Sequence, residues 1–340
     1  MKILVLGGTH FLGRHIVEQF LLSPNSQDSQ DSQNLVLFNR GKTNPDLFQN
    51  EDLQIIHGDR ETQPELLADI NPDVVIDCCG HYPSSLDRLS EILKTNNPYY
   101  IYISSCSVYD HEKDSINTDE SAEVLETNIE EEKKNDPSME YYGVRKLLCE
   151  QVIQKHFPKH CILRPGLIVG SYDSTFRFPY WIKRLSEGGE VLAPDGPETP
   201  TQFIDAKDIA TWITQLILKQ PIGIFNTVGD VLSFEEFLEQ TKQTLHSNCS
   251  ITYLPEEFLK DNDVSCWMEV PLWVYRDMNI FLKRSNNRAK DFGLKFRDLK
   301  ETIEDVNNWI NLSQNLPDDS YNLTREKEKL VLKKYHSIQE

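Results

Sequence analysis

No stretch of this 340-residue chain approaches the apolar length of a membrane-spanning helix. Positive charge is also short. Thirty-five Lys and Arg stand against 54 Asp and Glu, a net charge of −19. That balance opposes nonspecific binding to nucleic acid and to anionic membranes. It leaves room for an anionic cofactor, which needs only a local positive site. The seven cysteines (78, 79, 106, 149, 161, 249 and 266) are odd in number and lack CxxC or Cys/His metal spacing. They read as reduced core cysteines, with no metal site. Met1-Lys2 leads straight into an apolar stretch, so no cleaved leader is expected and a cytoplasmic protein is. Much of the acidic excess lies in residues 110–136, which read as a solvated loop. Residues 23–34 repeat Asp-Ser-Gln and read as a disordered surface insertion.

What is present begins at once. Lys2-Ile3-Leu4-Val5-Leu6 reads as a short buried strand. Gly7-Gly8-Thr9-His10-Phe11-Leu12-Gly13 follows, then an apolar helical pattern through Ile16, Val17 and Phe20. A strand, a glycine turn and a helix start make a phosphate site, because the helix directs unpaired N–H groups and a positive dipole end at an anion. The motif suits a dinucleotide pyrophosphate. His10 stands where a middle glycine is common, and reads as a turn residue near the phosphates.

Strand and helix patterns then alternate. Strands are expected at 35–38, 53–56, 74–77, 99–103 and 162–163, with helices at 12–22, 64–70, 84–95 and 142–156. Alternation of this kind predicts an α/β fold built on a doubly wound parallel sheet, whose ligands lie at the carboxyl ends of the strands. From residue 171 the pattern becomes irregular and aromatic, as suits a smaller, interleaved C-terminal substrate domain. The expected division is 1–170 plus 201–228 for the dinucleotide, 171–200 plus 229–312 for substrate, and a helical tail at 313–340. Residues 204–218 and 223–228 read as a helix and a strand returning to the main sheet. Leu323, Leu330 and Tyr335 are expected to face the body from the tail.

After the fifth strand comes Ser104-Ser105-Cys106-Ser107-Val108-Tyr109. Tyr142-Gly143-Val144-Arg145-Lys146 later opens a helix, and its Tyr and Lys, four apart, share a face. A phenol ordinarily ionises near pH ~10, and a nearby ammonium lowers that value. Such a Tyr can exchange a proton with a substrate hydroxyl or carbonyl while a serine hydroxyl orients the same oxygen. Tyr-x-x-x-Lys occurs again at Tyr109–Lys113, but that copy runs into the acidic loop.

The ordered set resembles an extended or atypical short-chain dehydrogenase/reductase of the NAD-dependent epimerase/dehydratase group. Its bacterial reductase-like branch carries Phe-Asn-Arg-Gly and Pro-Leu-Trp, which stand here at 38–41 and 271–273. Leu-Arg-Pro-Gly at 163–166 and Gln-Phe-Ile-Asp-x-x-Asp-Ile-Ala at 202–210 complete a match over roughly two thirds of the chain. The resemblance implies a Rossmann sheet and hydride transfer to or from a secondary alcohol or carbonyl, possibly of a sugar or sugar nucleotide. It gives Ser105 the serine role, Tyr142 the acid/base role, and Lys146 the roles of electrostatic partner and ribose ligand. The turn at Gly7, Gly8, Thr9, His10, Phe11, Leu12 and Gly13 would hold the cofactor. Asn39, Arg40, Asp59, Arg60, Cys79, Gly80 and Pro165 would line it.

A carboxylate after the second strand usually marks NAD. Here Asn39-Arg40-Gly41-Lys42 suits a 2′-phosphate, so NADP(H) is favoured over NAD(H). Leu167 and Thr201 stand where related sugar-nucleotide enzymes carry Asn and Arg of a diphosphate clamp. Arg177, Lys183 and Arg184 are candidates to replace it, against a solvated helix face. Cys106-Ser107 replaces the Asp-Glu pair of sugar 4,6-dehydratases. A small-molecule substrate is implied. A homodimer is compatible with the resemblance, because members often pair through helices flanking the active site. The alternative is a non-catalytic dinucleotide sensor or RNA-binding relative, which the intact Ser105, Tyr142 and Lys146 and the acidic charge disfavour.

Overall fold

The computed structural model describes residues 1–22, 34–113, 116–194, 196, 199–316 and 322–339. The expected insertion at 23–34 therefore falls, apart from Asn34, outside the described residues. In chain order the elements are β1 (Ile3–Leu6), α1 (Phe11–Leu22), β2 (Leu35–Asn39), β3 (Gln54–His57) and β4 (Val74–Asp77). Then come α2 (Pro83–Leu93), β5 (Tyr99–Ile103), α3 (Tyr142–His156), β6 (His160–Pro165), β7 (Leu167–Val169) and α4 (Arg177–Ser186). After these follow β8 (Glu190–Pro194), β9 (Pro200–Thr201), β10 (Phe203–Asp205), α5 (Ala206–Lys219), β11 (Gly223–Thr227), β12 (Leu232–Ser233) and α6 (Phe234–Thr244). The chain ends with β13 (Ser250–Leu254), α7 (Glu256–Asp261), α8 (Asn287–Asp291), α9 (Leu299–Leu312) and α10 (Arg325–Gln339).

These elements form two compact units. Unit 1 is 1–166, 206–228 and 284–295; unit 2 is 167–205, 229–283 and 296–340. The boundaries differ from the sequence division in four places. Residues 167–170 and 201–205 belong to unit 2. Residues 284–295 return to unit 1, where the Trp212 indole N–H donates to the Phe292 carbonyl and Asn286 Nδ2 donates to the Val228 carbonyl. The tail is part of unit 2 rather than a separate piece.

Unit 1 is the expected doubly wound sheet. Its seven strands run in the order β11-β6-β5-β4-β1-β2-β3, and every pairing is parallel. The order reverses beside β1, between β1 and β4, which opens a crevice at the carboxyl ends of those strands. Strands in such a sheet are covered on both faces, hence the unbroken burial of β2, β4 and β5. One face takes Leu86, Leu89 and Leu93 of α2 with Cys149 and Ile153 of α3 and Phe157 just after it, packed on Leu4, Val36, Val75 and Tyr100. The helices α1 and α5 pack on each other.

Three local expectations are corrected. Residues 64–70 give only a single 3₁₀ turn, Pro64–Leu67. Leu330 faces outward at 54% exposure, and Val331 and Leu332 carry the buried face of α10 instead. The acidic stretch folds back rather than standing free. Tyr109 bridges Val124, the Leu125 N–H donates to the Val108 carbonyl, and Ala122 is buried. Glu120 accepts the Asn226 N–H at 2.7 Å, satisfying an edge strand donor.

Unit 2 contains the parallel pairs β7·β10 and β8·β13, the antiparallel pair β9·β12, and an aromatic core. Phe176, Phe178, Trp181 and Trp273 are buried there, with Phe234 and Phe237 of α6. A capping box between Ser233 and Glu236 fixes the start of α6.

Candidate functional site

The glycine turn leaves β1 at its carboxyl end. The Gly7 N–H donates to the Phe38 carbonyl of β2 at 3.0 Å. At Gly13 a Cβ would lie 2.0 Å from the Gly7 carbonyl oxygen, so only glycine lets α1 approach the turn this closely. Helix α1 therefore starts directly over the turn, presenting first-turn N–H groups that no helix can satisfy internally. Thr9 is buried, and its carbonyl accepts from Asn44 Nδ2 at 2.9 Å. Leu12 is buried; His10 is exposed and Phe11 half-buried. A cradle that a Cβ would fill, at a helix start, fits a dinucleotide pyrophosphate.

The β2 end is more engaged than its sequence suggests. Asn39 is buried, and its Oδ1 accepts the Gly41 N–H at 2.9 Å and lies 3.3 Å from His57 Nδ1. Its Nδ2 is buried with no hydrogen-bond partner. Arg40 and Lys42 are exposed. Asp59 caps its own turn by accepting the Glu61 N–H at 2.8 Å.

Arg60 is committed to the protein. Its guanidinium forks onto Asp77 at 2.7 and 2.9 Å and reaches Cys79 Sγ at 3.4 Å, so these bonds occupy both Nη atoms. Asp77 also accepts from the Tyr100 hydroxyl at 2.8 Å. Burial alone would raise the Asp77 carboxyl, but the Arg60 charge and these hydrogen bonds bring it below the usual range. Cys79 packs on Gly7. Gly80 offers its carbonyl to Tyr102 and Lys146.

The elements that carry the serine and the tyrosine pack together. Ser105 caps a 3₁₀ turn at the end of β5, accepting the Ser107 N–H at 3.1 Å. Gly143 seats α3 on that turn, since a Cβ there would lie 2.1 Å from the Ser107 carbonyl oxygen. Tyr142 therefore opens α3 beside that turn, where Ser105 acts on its hydroxyl. Lys146, one helical turn on, is buried. Its Nζ donates to the carbonyls of Ile103 at 2.6 Å and Gly80 at 3.0 Å, and lies 4.4 Å from the Tyr102 ring centre.

The direction at Tyr142 is opposite to the sequence expectation. Burial raises its pKa above the ordinary phenol value, opposed by the Ser105 hydrogen bond and the Arg145 charge. Burial lowers the pKa of Lys146.

Pro165 is buried and pairs in register with Thr227. Arg164 beside it is tied to Glu150 at 2.9 and 2.6 Å. The second Tyr-x-x-x-Lys is structural: Tyr109 is buried, donates to Asn226 Oδ1 at 2.6 Å, and lies between the Arg164 and Arg284 guanidiniums at 4.8 and 4.1 Å. Sequence reasoning missed Arg284, whose partners lie far away in sequence. In unit 2, Leu167 is core and Thr201 Oγ1 donates to the Leu272 carbonyl. Arg184 is not on a solvated face; it is buried against Glu328. Among the described residues no helix is long and apolar enough to cross a membrane.

Comparison with curated proteins found no match. Solved structures of similar fold include Bordetella bronchiseptica WbmG in complex with NAD and UDP. Its TM-score is 0.66 at 17% identity, over 92% of this chain and 95% of that one. A UDP-glucuronic acid 4-epimerase from Bacillus cereus in complex with NAD gives TM-score 0.64 at 17% identity, over 92% and 99% of the two chains. A dTDP-4-dehydrorhamnose reductase from Clostridium acetobutylicum gives 0.58 at 17% identity, over 93% and 100%. Identities this low show the fold. The sequence profile of one family matches residues 3–227, which hold the glycine turn, Ser105, Tyr142 and Lys146. The chain belongs to the NAD dependent epimerase/dehydratase family.

Proposed function

We propose that this protein is a nicotinamide-dinucleotide oxidoreductase acting on a secondary alcohol or carbonyl of a sugar or sugar nucleotide, through Ser105, Tyr142 and Lys146. Unit 1 binds the dinucleotide, and unit 2 carries residues that select the substrate. The observation that carries the reading is the close seating of α3 on the Ser105–Ser107 turn at Gly143, with Tyr142 at the head of that helix and Lys146 one turn along it. Three structural neighbours named for sugar-nucleotide chemistry or bound to UDP support the substrate class.

The residues of unit 1 fit the cofactor. The turn at 7–13 receives the pyrophosphate, and Asn39 at the end of β2 keeps its Nδ2 unpartnered among the described residues. Lys146 gives two of its three N–H groups to carbonyls, leaving one for a ribose hydroxyl. A bound nicotinamide supplies the hydride donor or acceptor. The protein's part is proton traffic. In the reductive direction the Tyr142 hydroxyl gives its proton to the carbonyl oxygen while Ser105 holds that oxygen. In the oxidative direction Tyr142 takes the proton from the substrate hydroxyl. Burial keeps Tyr142 protonated, which suits the acid role at neutral pH.

The finer cofactor reading is NADP(H) over NAD(H). It rests on Asn39 in place of a carboxylate and on the exposed cations Arg40 and Lys42. Two of the cited neighbours were solved with NAD, so the choice is made by titration. Tighter NADPH than NADH binding is expected, and the reverse removes it. For the chemistry, a metabolite screen followed by nicotinamide absorbance is run on the wild type and on Tyr142→Phe. A drop of ~100-fold or more in turnover is expected. Unchanged turnover by Tyr142→Phe sinks the acid/base assignment.

A further inference from the structure

The last helix of unit 2 has an outer face that unit 2 leaves uncovered. On its inner side α10 buries Glu328, Val331 and Leu332, and Tyr335 packs edge-on against Phe258 of α7 with ring centres 5.2 Å apart. On its outer side Lys329, Leu330, Lys333, Lys334, Ser337 and Ile338 are exposed. Leu330 and Ile338 are two helical turns apart, so they share one side of the helix, and Ile338 is 70% exposed. A groove of about 400 Å³ runs beside them, walled by Phe258, Leu330, Lys334 and Ile338. A second groove, of about 780 Å³, has Lys329, Lys333 and His336 in its wall.

The charge of this face is unusual for the chain. Against 54 acidic and 35 basic residues overall, residues 329–338 contain three lysines and no Asp or Glu. Cations just before them are answered: Arg325 by Glu187 and Glu328, and Lys327 by Glu269. Among the described residues Lys329 and Lys333 have no acidic partner, and Lys334 reaches only the neutral Asn262 Oδ1, at 3.0 Å. Solvated lysines by themselves are ordinary surface. Beside an exposed aliphatic stripe and a groove, they form a face complementary to an acidic, partly apolar segment.

The chain itself contains such a segment. Residues 110–136 hold eleven Asp and Glu against three Lys. Unit 1 holds the inner part of this stretch through Glu120, Ala122 and Leu125. Its outer part is exposed, with Glu130, Glu131 and Glu132 in a row. Lys133 and Lys134 answer two of these three, at 3.1 and 2.6 Å. Ile116 and, just beyond the stretch, Met139 are 88% and 76% exposed, which supplies the apolar part. Other occupants match less well. The net charge of −19 opposes an anionic membrane or a nucleic acid. A second α10 would set lysine against lysine.

We propose that the outer face of α10 is a docking surface for residues 110–136 of a second copy of this chain, with Lys329, Lys333 and Lys334 opposite Glu130, Glu131 and Glu132. Two different patches meet, so the contact is heterologous. The proposal goes beyond the oxidoreductase reading and does not depend on it.

The test is analytical ultracentrifugation of the full chain over a range of concentrations, at low and at high salt. Species heavier than one chain are expected at low salt and should diminish at high salt, because exposed charges are screened. Two charge-reversed variants follow: Lys329→Glu with Lys333→Glu and Lys334→Glu, and Glu130→Lys with Glu131→Lys and Glu132→Lys. Each by itself should self-associate about tenfold more weakly or worse. Mixed in equal amounts, the two should associate again, since the intact face of one meets the intact stretch of the other. All six side chains are exposed, and thermal melts verify that each variant folds. Should a triple variant fail to melt cooperatively, Lys333→Glu replaces it with the same direction expected. A wild type that remains monomeric at every concentration overturns the proposal. So does association that neither variant weakens, or a mixture that does not recover it. Monomeric wild type that sediments with phosphatidylserine vesicles assigns the face to a membrane and overturns it equally.

Discussion

Arg60 and Asp77 form a forked, fully enclosed ion pair, with Nη1 2.7 Å from Oδ1 and Nη2 2.9 Å from Oδ2. The pair closes the carboxyl end of β4, and the Tyr100 hydroxyl and the Cys79 N–H complete it at 2.8 and 3.0 Å. Removing one member leaves the other charge buried without its counter-ion. Asp77→Asn or Arg60→Leu should therefore destabilise the protein by about 3–5 kcal/mol, measured by urea unfolding. A loss under about 1 kcal/mol would show that water replaces the pair.

Gly143 controls whether Tyr142 can reach Ser105. A methyl group at that position meets the Ser107 carbonyl oxygen at 2.1 Å, and a backbone atom cannot move aside cheaply. Gly143→Ala should cost about 1–3 kcal/mol and reduce turnover more than that stability loss explains, because α3 must lift away from the serine turn. Thermal melts together with rates at a temperature where the variant is fully folded separate the two effects. Retention of full turnover would contradict the seating of α3 on Ser107.

Tyr142 should titrate above the ordinary phenol value near pH ~10. Ultraviolet titration of the free protein, subtracted from that of Tyr142→Phe, isolates this one hydroxyl. A difference titration well below that value in the free protein would mean that Lys146 governs Tyr142 after all. In the same chain, oxidation of an alcohol should accelerate as pH rises, since it needs the phenolate.

His111 makes stability depend on acid. Burial first, then the Arg284 charge, lowers its pKa from 6.5 to about 4, with Asp110 opposing. Arg284 Nη2 lies 2.8 Å from His111 Nδ1, which must therefore be the unprotonated acceptor. The folded pKa lies below the unfolded one, so the unfolded chain binds the extra proton first. Stability contributed by this group is intact above 6.5 and is lost as pH falls from 6.5 towards about 4. Urea midpoints across that window should fall less steeply for His111→Gln than for the wild type. Parallel slopes would remove His111 as the cause.

The sheet was readable because its determinants are local. Val74–Asp77 and Tyr99–Ile103 are apolar runs ending at polar residues, and Tyr142–His156 has uninterrupted helical composition. The glycine turn was readable for the same reason, since its backbone requirement falls within seven residues at 7–13. What escaped depends on distant partners. Arg60 looks like a ligand-binding cation until Asp77 is brought beside it. The acidic stretch looks solvated until Glu120 reaches Asn226 across the edge strand. Leu330 fits a helical spacing, but Val331 and Leu332 fit the rotation that α10 adopts. Arg177 stacks on the Trp267 ring across long intervening segments, so no local pattern pairs them.

Residues 284–295 belong to unit 1 although the chain has by then built most of unit 2. Arg284 stacks on Tyr109, and the Ser285 N–H donates to the Thr118 carbonyl at 2.9 Å. During synthesis the first unit therefore waits for its last piece until most of residues 167–283 have been made. A chain released early, after β11, carries all seven strands of the sheet but leaves Tyr109 without one of its two guanidinium lids.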